Sequence, residues 1–455
     1  MTPRDGSDTT MSSDLLIINA RVVNENTERD ADVLIKDGRI EEIGQNLQGR
    51  SARRVIDAKG RHLLPGMIDD QVHFREPGLT HKGDLATESN AAVAGGITSF
   101  MEMPNVKPAT LTLDALEEKY QRAAGRSAAN YAFYLGASNN NLDVIKSLDP
   151  RQACGVKVFM GASTGNMLVD RMDVLEGIFA NAPTLIATHC EDTPMIHANE
   201  KLAREKYGED VPIQEHPNIR SAEACYASSS LAVSLAKKTG ARLHVLHLTT
   251  AREMELFTCG DINSKQITAE ACVHHLWFSS DDYDRLGSWI KCNPAVKTAA
   301  DRDALLQAVR DDRIDVIATD HAPHTREEKA GSYFQSPAGL PLVQHALPSL
   351  LDQVNRGIFD LPLIVRKTSH AVADRYQVAE RGYIREGYFA DLVLVDMKGR
   401  QKITPESVLY KCGWSPFEGV TFSASIDMTL VNGEVVWEGG KVCASPQGRR
   451  LAFDR

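Results

Sequence analysis

A chain of 455 residues, 42% hydrophobic and 25% charged, is long enough to bury a large core. Its net charge is −10 and no Lys/Arg-rich run interrupts it, so nucleic acid finds no electrostatic footprint. No apolar run reaches the ~18 residues of a membrane span, and the eight Cys form no Cys-x-x-Cys pair, which reads as reduced thiols of a cytoplasmic protein and not as a disulfide framework.

Residues 1–13 are polar, lack an apolar signal core and are expected to form a disordered extension. Residues 14–65 read as short strands: Leu15–Ile18, Ala20–Val23, Asp32–Lys36, Arg39–Ile43 and Arg54–Asp57, with a hairpin signal at Lys36-Asp37-Gly38-Arg39. Between 66 and 375 the pattern alternates between apolar β-like runs and amphipathic helical stretches. The candidate strands are Gly66–His73, Thr98–Met103, Asn130–Leu135, Gly155–Met160, Thr184–Thr188, Arg242–His247, Gln266–Ala271 and Val316–Thr319. Leu113–Ala124, Ala222–Thr239 and Asp301–Asp311 are among the helical spacers. Eight such runs predict an α/β chain with a (β/α)8 barrel. Residues 376–455 return to strands: Ala390–Asp396, then a hairpin of Thr429–Val431 and Glu434–Trp437 across Asn432-Gly433. The economical reading of the two strand-rich ends is one small β-sandwich domain built from both termini.

Polar residues fall at the C-terminal ends of the barrel runs, the end that carries the active site in this architecture: His73, Asn105, Lys157, His189, His247 and Asp320. In Asp69-Asp70-Gln71-Val72-His73-Phe74-Arg75, side chains alternate faces, so Asp69, Gln71, His73 and Arg75 are expected to converge. Lys157 sits inside Gly155-Val156-Lys157-Val158-Phe159-Met160, where a bare ammonium is unusual; a salt bridge would explain it, and so would a metal centre. A single His after a strand is more often structural than a ligand. His189, His247 and Asp320, each at a different strand end, together argue for metal. His244, three residues before His247, belongs to the other strand face and reads as structural. Arg75 offers a fork suited to a carboxylate.

The Asp69–Gly78 stretch resembles the metal-binding strand of the amidohydrolase superfamily, and specifically that of dihydroorotases, with Gln71-x-His73 where the family has His-x-His. Glu270-Ala271-Cys272-Val273-His274-His275-Leu276, Lys291-Cys292-Asn293-Pro294, Ser336–Leu342 and Lys411–Gly419 resemble further family segments, with Val273 and Leu342 as departures. Lys157–Gly161 with Ala162-Ser163-Thr164-Gly165 is similar to the carboxylated-lysine segment of hydantoinases, allantoinases and some dihydroorotases.

The resemblance implies one or two zinc ions per chain. Lys157 would be an N6-carboxylysine bridging the metals, with His189 and His247 on one and His73 and Asp320 on the other. Gln71 would leave the second of these sites weaker. Arg75, Asn105 and His324 would hold the substrate carboxylate, and Asn293 would touch the pyrimidine ring. The implied reaction is the reversible cyclisation of N-carbamoyl-L-aspartate to L-dihydroorotate, by a metal-activated hydroxide with Asp320 as general acid and base. Two alternatives stay open: another cyclic amidase of hydantoinase or allantoinase type, and a non-catalytic scaffold subunit. The resemblance also implies a homo-oligomer, with aspartate transcarbamoylase as a candidate partner.

Overall fold

The computed structural model describes residues 13–161, 167–443 and 445–455. Residues 1–12 of the expected extension and the Ala162–Gly165 segment lie outside the described residues. The central strands are Met67–Val72 (β1), Ile97–Glu102 (β2), Asn130–Phe133 (β3), Val156–Phe159 (β4), Ile186–His189 (β5), Leu243–Val245 (β6), Ile267–Cys272 (β7) and Val316–Ala318 (β8). Neighbours pair in parallel from β1 to β3 and from β4 to β8. The chain beyond β3 continues as Leu135–Gly136, which pairs with β4. The ring closes where Val72 bridges His321 and the His73 N–H donates to His321 O at 2.7 Å. The eight predicted runs are the eight staves of this barrel.

Helices cover the outside, and their ends follow from local chemistry. Ser221 accepts the Ala224 N–H and starts the helix Ala222–Thr239; Gly240, at φ 78°, ends it. Thr298 and Asp301 form a capping box that starts Ala299–Arg310. The β6–β7 crossover departs from the regular pattern: its helical turns are the short 3-10 segments Arg252–Leu256 and Ile262–Ser264. Among the described residues no helix is long and apolar enough to cross a membrane.

Strands from both ends of the chain join one nine-stranded sheet. The segment read as two strands is a single strand, Ser13–Asn24, whose register slips between Ile17 and Ala20, where Asn19 takes φ 56°. It pairs with Ala52–Asp57 and His62–Pro65, and the latter pairs with the C-terminal strand Leu392–Asp396. One face of the sheet, with Leu15, Ile17, Val33, Ile35, Leu392, Leu394 and Leu430, encloses its own core. Leu64, Val393, Val395 and Val431 join the barrel core instead. The N- and C-terminal hairpin turns touch: a Cβ on Gly38 would stand 2.7 Å from Asn432 O. Not all of 376–455 enters this sheet. Residues 445–455 run along the barrel, with Tyr131 and Arg449 sharing a backbone bond of 3.0 Å, and Trp414 Nε1 donates to His324 O at 2.7 Å.

Candidate active site

The C-terminal ends of the staves surround a narrow pocket of about 50 Å³, lined by Gln71, His73, Arg75, Asn105, Lys157, His189, His247, Asn293 and Asp320, with Phe159, Ala322, Ala338 and Gly339. The sequence-predicted residues thus meet in one place. His324 stands behind Arg75, with its Nε2 3.1 Å from Arg75 Nη2. Asp69 does not join them: its carboxylate accepts from the Thr319 hydroxyl at 2.6 Å and backbone N–H at 3.2 Å, bracing the residue before Asp320. Alternation fails here because the β1 register shifts between Asp69 and Val72.

Three pocket residues hold left-handed backbone, Arg75 at φ 73°, His247 at 39° and Asp320 at 52°. Such a conformation in a non-glycine residue costs about 1–3 kcal/mol and persists only where neighbours enforce it. For His247 the enforcement is visible: its N–H donates to Glu270 Oε1 at 2.9 Å.

On one side, His189 donates Nε2–H to Glu191 Oε2 at 2.9 Å, and Arg220 Nη1 bonds the same oxygen at 2.6 Å. Burial pushes the Glu191 carboxyl up, but Arg220 and His189 outweigh it and bring it down to about 2. The bond orients the His189 ring, whose Nδ1 lies 2.9 Å from His247 Nε2. Burial holds the His247 ring well below the ordinary imidazole range, so it is neutral. Burial likewise lowers Lys157 to about 8, despite the pull of Asp320. Two ring nitrogens facing each other beside a lysine that is easily neutralised fit a metal ligand set.

On the other side, His73 Nε2 stands 3.1 Å from Asp320 Oδ1, and its Nδ1 is bonded to Asn105 Oδ1 at 2.8 Å. Asn105, expected to face a substrate carboxylate, uses its carbonyl to orient His73; only its amide N–H₂ remains for a ligand. Gln71 is buried, donates Nε2 to Asp320 Oδ1 at 3.2 Å and turns Oε1 toward Cys272 Sγ at 3.7 Å. It therefore presents N–H₂ to the site, not a carbonyl oxygen.

The substrate side of the pocket is cationic. Arg75 Nε donates to Pro323 O at 3.0 Å, and burial lowers its guanidinium to about 10. Lys82 Nζ lies 2.9 Å from His324 Nδ1 and 3.1 Å from Glu328. Asn293 Oδ1 is buried with no hydrogen-bond partner among the described residues, as suits a ligand contact. Sequence reasoning missed Glu191, Arg220 and Lys82. Only Glu191 carried a signal, an acid two residues after a strand-end His.

A family model described as the amidohydrolase family matches residues 62–436. The dihydroorotase of Halobacterium salinarum is 35% identical over 418 residues, covering 91% of this chain and 94% of that protein. The allantoinase of Salmonella choleraesuis is 30% identical over 438 residues, covering 94% and 96%. The solved L-hydantoinase (dihydropyrimidinase) from Arthrobacter aurescens superposes with a TM-score of 0.91 at 28% identity, covering 97% of this chain and all of that one. The chain belongs to the amidohydrolase family, whose members are metal-dependent, and within it to the hydrolytic cyclic amidases.

Proposed function

We propose that this member of the amidohydrolase family is a dihydroorotase, interconverting N-carbamoyl-L-aspartate and L-dihydroorotate. The observation that carries the reading is Arg75 on the pocket wall, with His324 and Lys82 behind it. A ring substrate bearing a carboxylate finds a guanidinium fork there, and Arg75 Nη1 has no hydrogen bond among the described residues. Dihydroorotases among the relatives support the same substrate.

Lys157, His189 and His247 would hold one metal, with Lys157 as its carbamate; His73 and Asp320 would hold a second. Zinc suits the mixture of imidazole and carboxylate-type donors. A bound metal supplies a Lewis acid that polarises the ring amide carbonyl and acidifies water.

The chain's own residues do the rest. Arg75, positioned by His324 behind it, and the Asn105 amide orient the carboxylate and so fix the ring, and such orientation can contribute about 7–11 kcal/mol. Asn293 Oδ1 accepts a ring N–H. Asp320 takes the proton of the attacking water at Oδ1 or Oδ2 and returns it to the amide nitrogen as the C–N bond breaks. In the cyclising direction Asp320 accepts the ureido N–H proton as that nitrogen attacks. Gln71 fixes the Asp320 rotamer for both directions by donating Nε2–H to Oδ1.

Parallel assays with dihydroorotate, allantoin and hydantoin test the reading; turnover is expected with dihydroorotate and not with the uncharged rings. Allantoinase and hydantoinase relatives at comparable similarity favour one second reading, a different cyclic ureide substrate, which the same panel reveals. A protein silent toward all three would be the scaffold subunit. A cytoplasmic homo-oligomer and association with aspartate transcarbamoylase belong to the same proposal and are read by light scattering and co-purification.

A further inference from the structure

Below the pocket, inside the barrel, three side chains from separate staves converge. Asp70 comes from β1, His244 from β6 and Glu270 from β7. All three are fully buried at 0% exposure. Their ligating atoms lie within 4.8 Å of one another. Neither Asp70 oxygen, nor Glu270 Oε2, nor His244 Nε2 has a partner in hydrogen-bonding geometry among the described residues. Buried polar atoms are seldom left so.

The protonation of His244 follows from its other nitrogen. His244 Nδ1 is 2.7 Å from Thr268 Oγ1, and that hydroxyl gives its own proton to Leu243 O at 3.4 Å. With Thr268 accepting Nδ1–H, Nε2 faces Asp70 Oδ2, 3.2 Å away, and Glu270 Oε2, 3.5 Å away. Two acids converging on a ring nitrogen in a dry interior call for something electropositive between them. Burial opposes it, but Asp70 and Glu270 raise the His244 imidazole to about 9 when only a proton fills the gap, and both separations exceed the ~2.7–2.9 Å of a charge-assisted bond. A divalent cation balances both carboxylates. With zinc–ligand bonds of about 2.0–2.1 Å, a tetrahedral site has ligand–ligand edges of about 3.3–3.4 Å, between the two separations observed.

We propose that Asp70, His244 and Glu270 form a metal site of their own, suited to zinc and distinct from the centre at Lys157. The three residues supply three ligand atoms, one from each side chain. The Nδ1–Thr268 bond is the outer contact that fixes a metal-binding imidazole tautomer. The ion is structural. It cross-links β1, β6 and β7, and it holds Glu270, whose other oxygen supports the left-handed backbone of His247. The inference does not depend on which cyclic amide the enzyme turns over.

The test uses the full chain purified and crystallised with zinc. Anomalous diffraction on either side of the zinc edge is expected to show a peak enclosed by Asp70, His244 and Glu270, apart from any peak at Lys157. In solution, Asp70→Asn should lose one zinc equivalent per chain, while Lys157→Ala keeps that equivalent. Circular dichroism checks that both variants fold; if Asp70→Asn does not, the wild-type anomalous map decides alone. Absence of the enclosed peak at full zinc loading overturns the site. So does a ¹⁵N spectrum with both His244 nitrogens protonated, which makes the group an imidazolium between carboxylates.

Discussion

Gln71 Nε2 donates to Asp320 Oδ1 at 3.2 Å, the same oxygen that stands 3.1 Å from His73 Nε2. The amide therefore takes up an acceptor that a metal at His73 and Asp320 would need, and supplies no imidazole lone pair in exchange. Gln71→His is expected to raise tightly bound zinc at the catalytic pocket from one toward two per chain. Metal analysis after dialysis, with the pocket ions located by anomalous diffraction, checks this. Two tightly held pocket ions in the natural protein would contradict it.

Lys157 is expected to load as a carbamate, because only the free amine attacks CO₂. Burial lowers its ammonium to about 8, so the reactive amine fraction grows as pH rises through that value. At a fixed concentration of dissolved CO₂, reconstitution of metal-free protein with zinc should thus be faster at about pH 9 than at about pH 7. Lys157→Ala should lose metal from the pocket and activity together, with partial rescue by short carboxylic acids. Intact mass showing unmodified lysine in active, metal-loaded protein would reject the assignment.

Arg75→Lys keeps the charge but loses the fork that faces the substrate. A loss in kcat/KM for dihydroorotate on the order of 3–5 kcal/mol is expected, as for a buried charge left without its partner. Metal content and circular dichroism should not change. Steady-state kinetics close to wild type would remove Arg75 from the substrate site.

Glu191→Gln should weaken zinc at His189 by about 10–100-fold, the usual effect of removing a contact that orients a metal-bound imidazole. The acid limb of stability should change as well. The folded carboxyl lies at about 2, below its ordinary 4.5. Its stabilising contribution is therefore complete above about pH 4.5 and is lost as pH falls toward about 2. Denaturant melts across that window should show a shallower decline in the variant; parallel curves would mean that the ion pair contributes nothing to folding.

Much of the architecture was legible in the sequence, because its signals are local. Alternating apolar runs and amphipathic spacers mark the eight staves, and Asn432-Gly433 supplies the two positive φ angles of a tight hairpin. His73, Lys157, His189, His247 and Asp320 were visible as candidates because a polar residue at the end of an apolar run needs a reason. The contacts among them were set by tertiary structure. Barrel closure brings Gln71 to Asp320 and Asn105 to His73, while a register shift turns Asp69 to Thr319. Asp70, His244 and Glu270 look unrelated along the chain, and His244 read as structural. They face one another because stave tilt and register determine which side chains share a layer, and that is a property of the closed ring, not of any one strand.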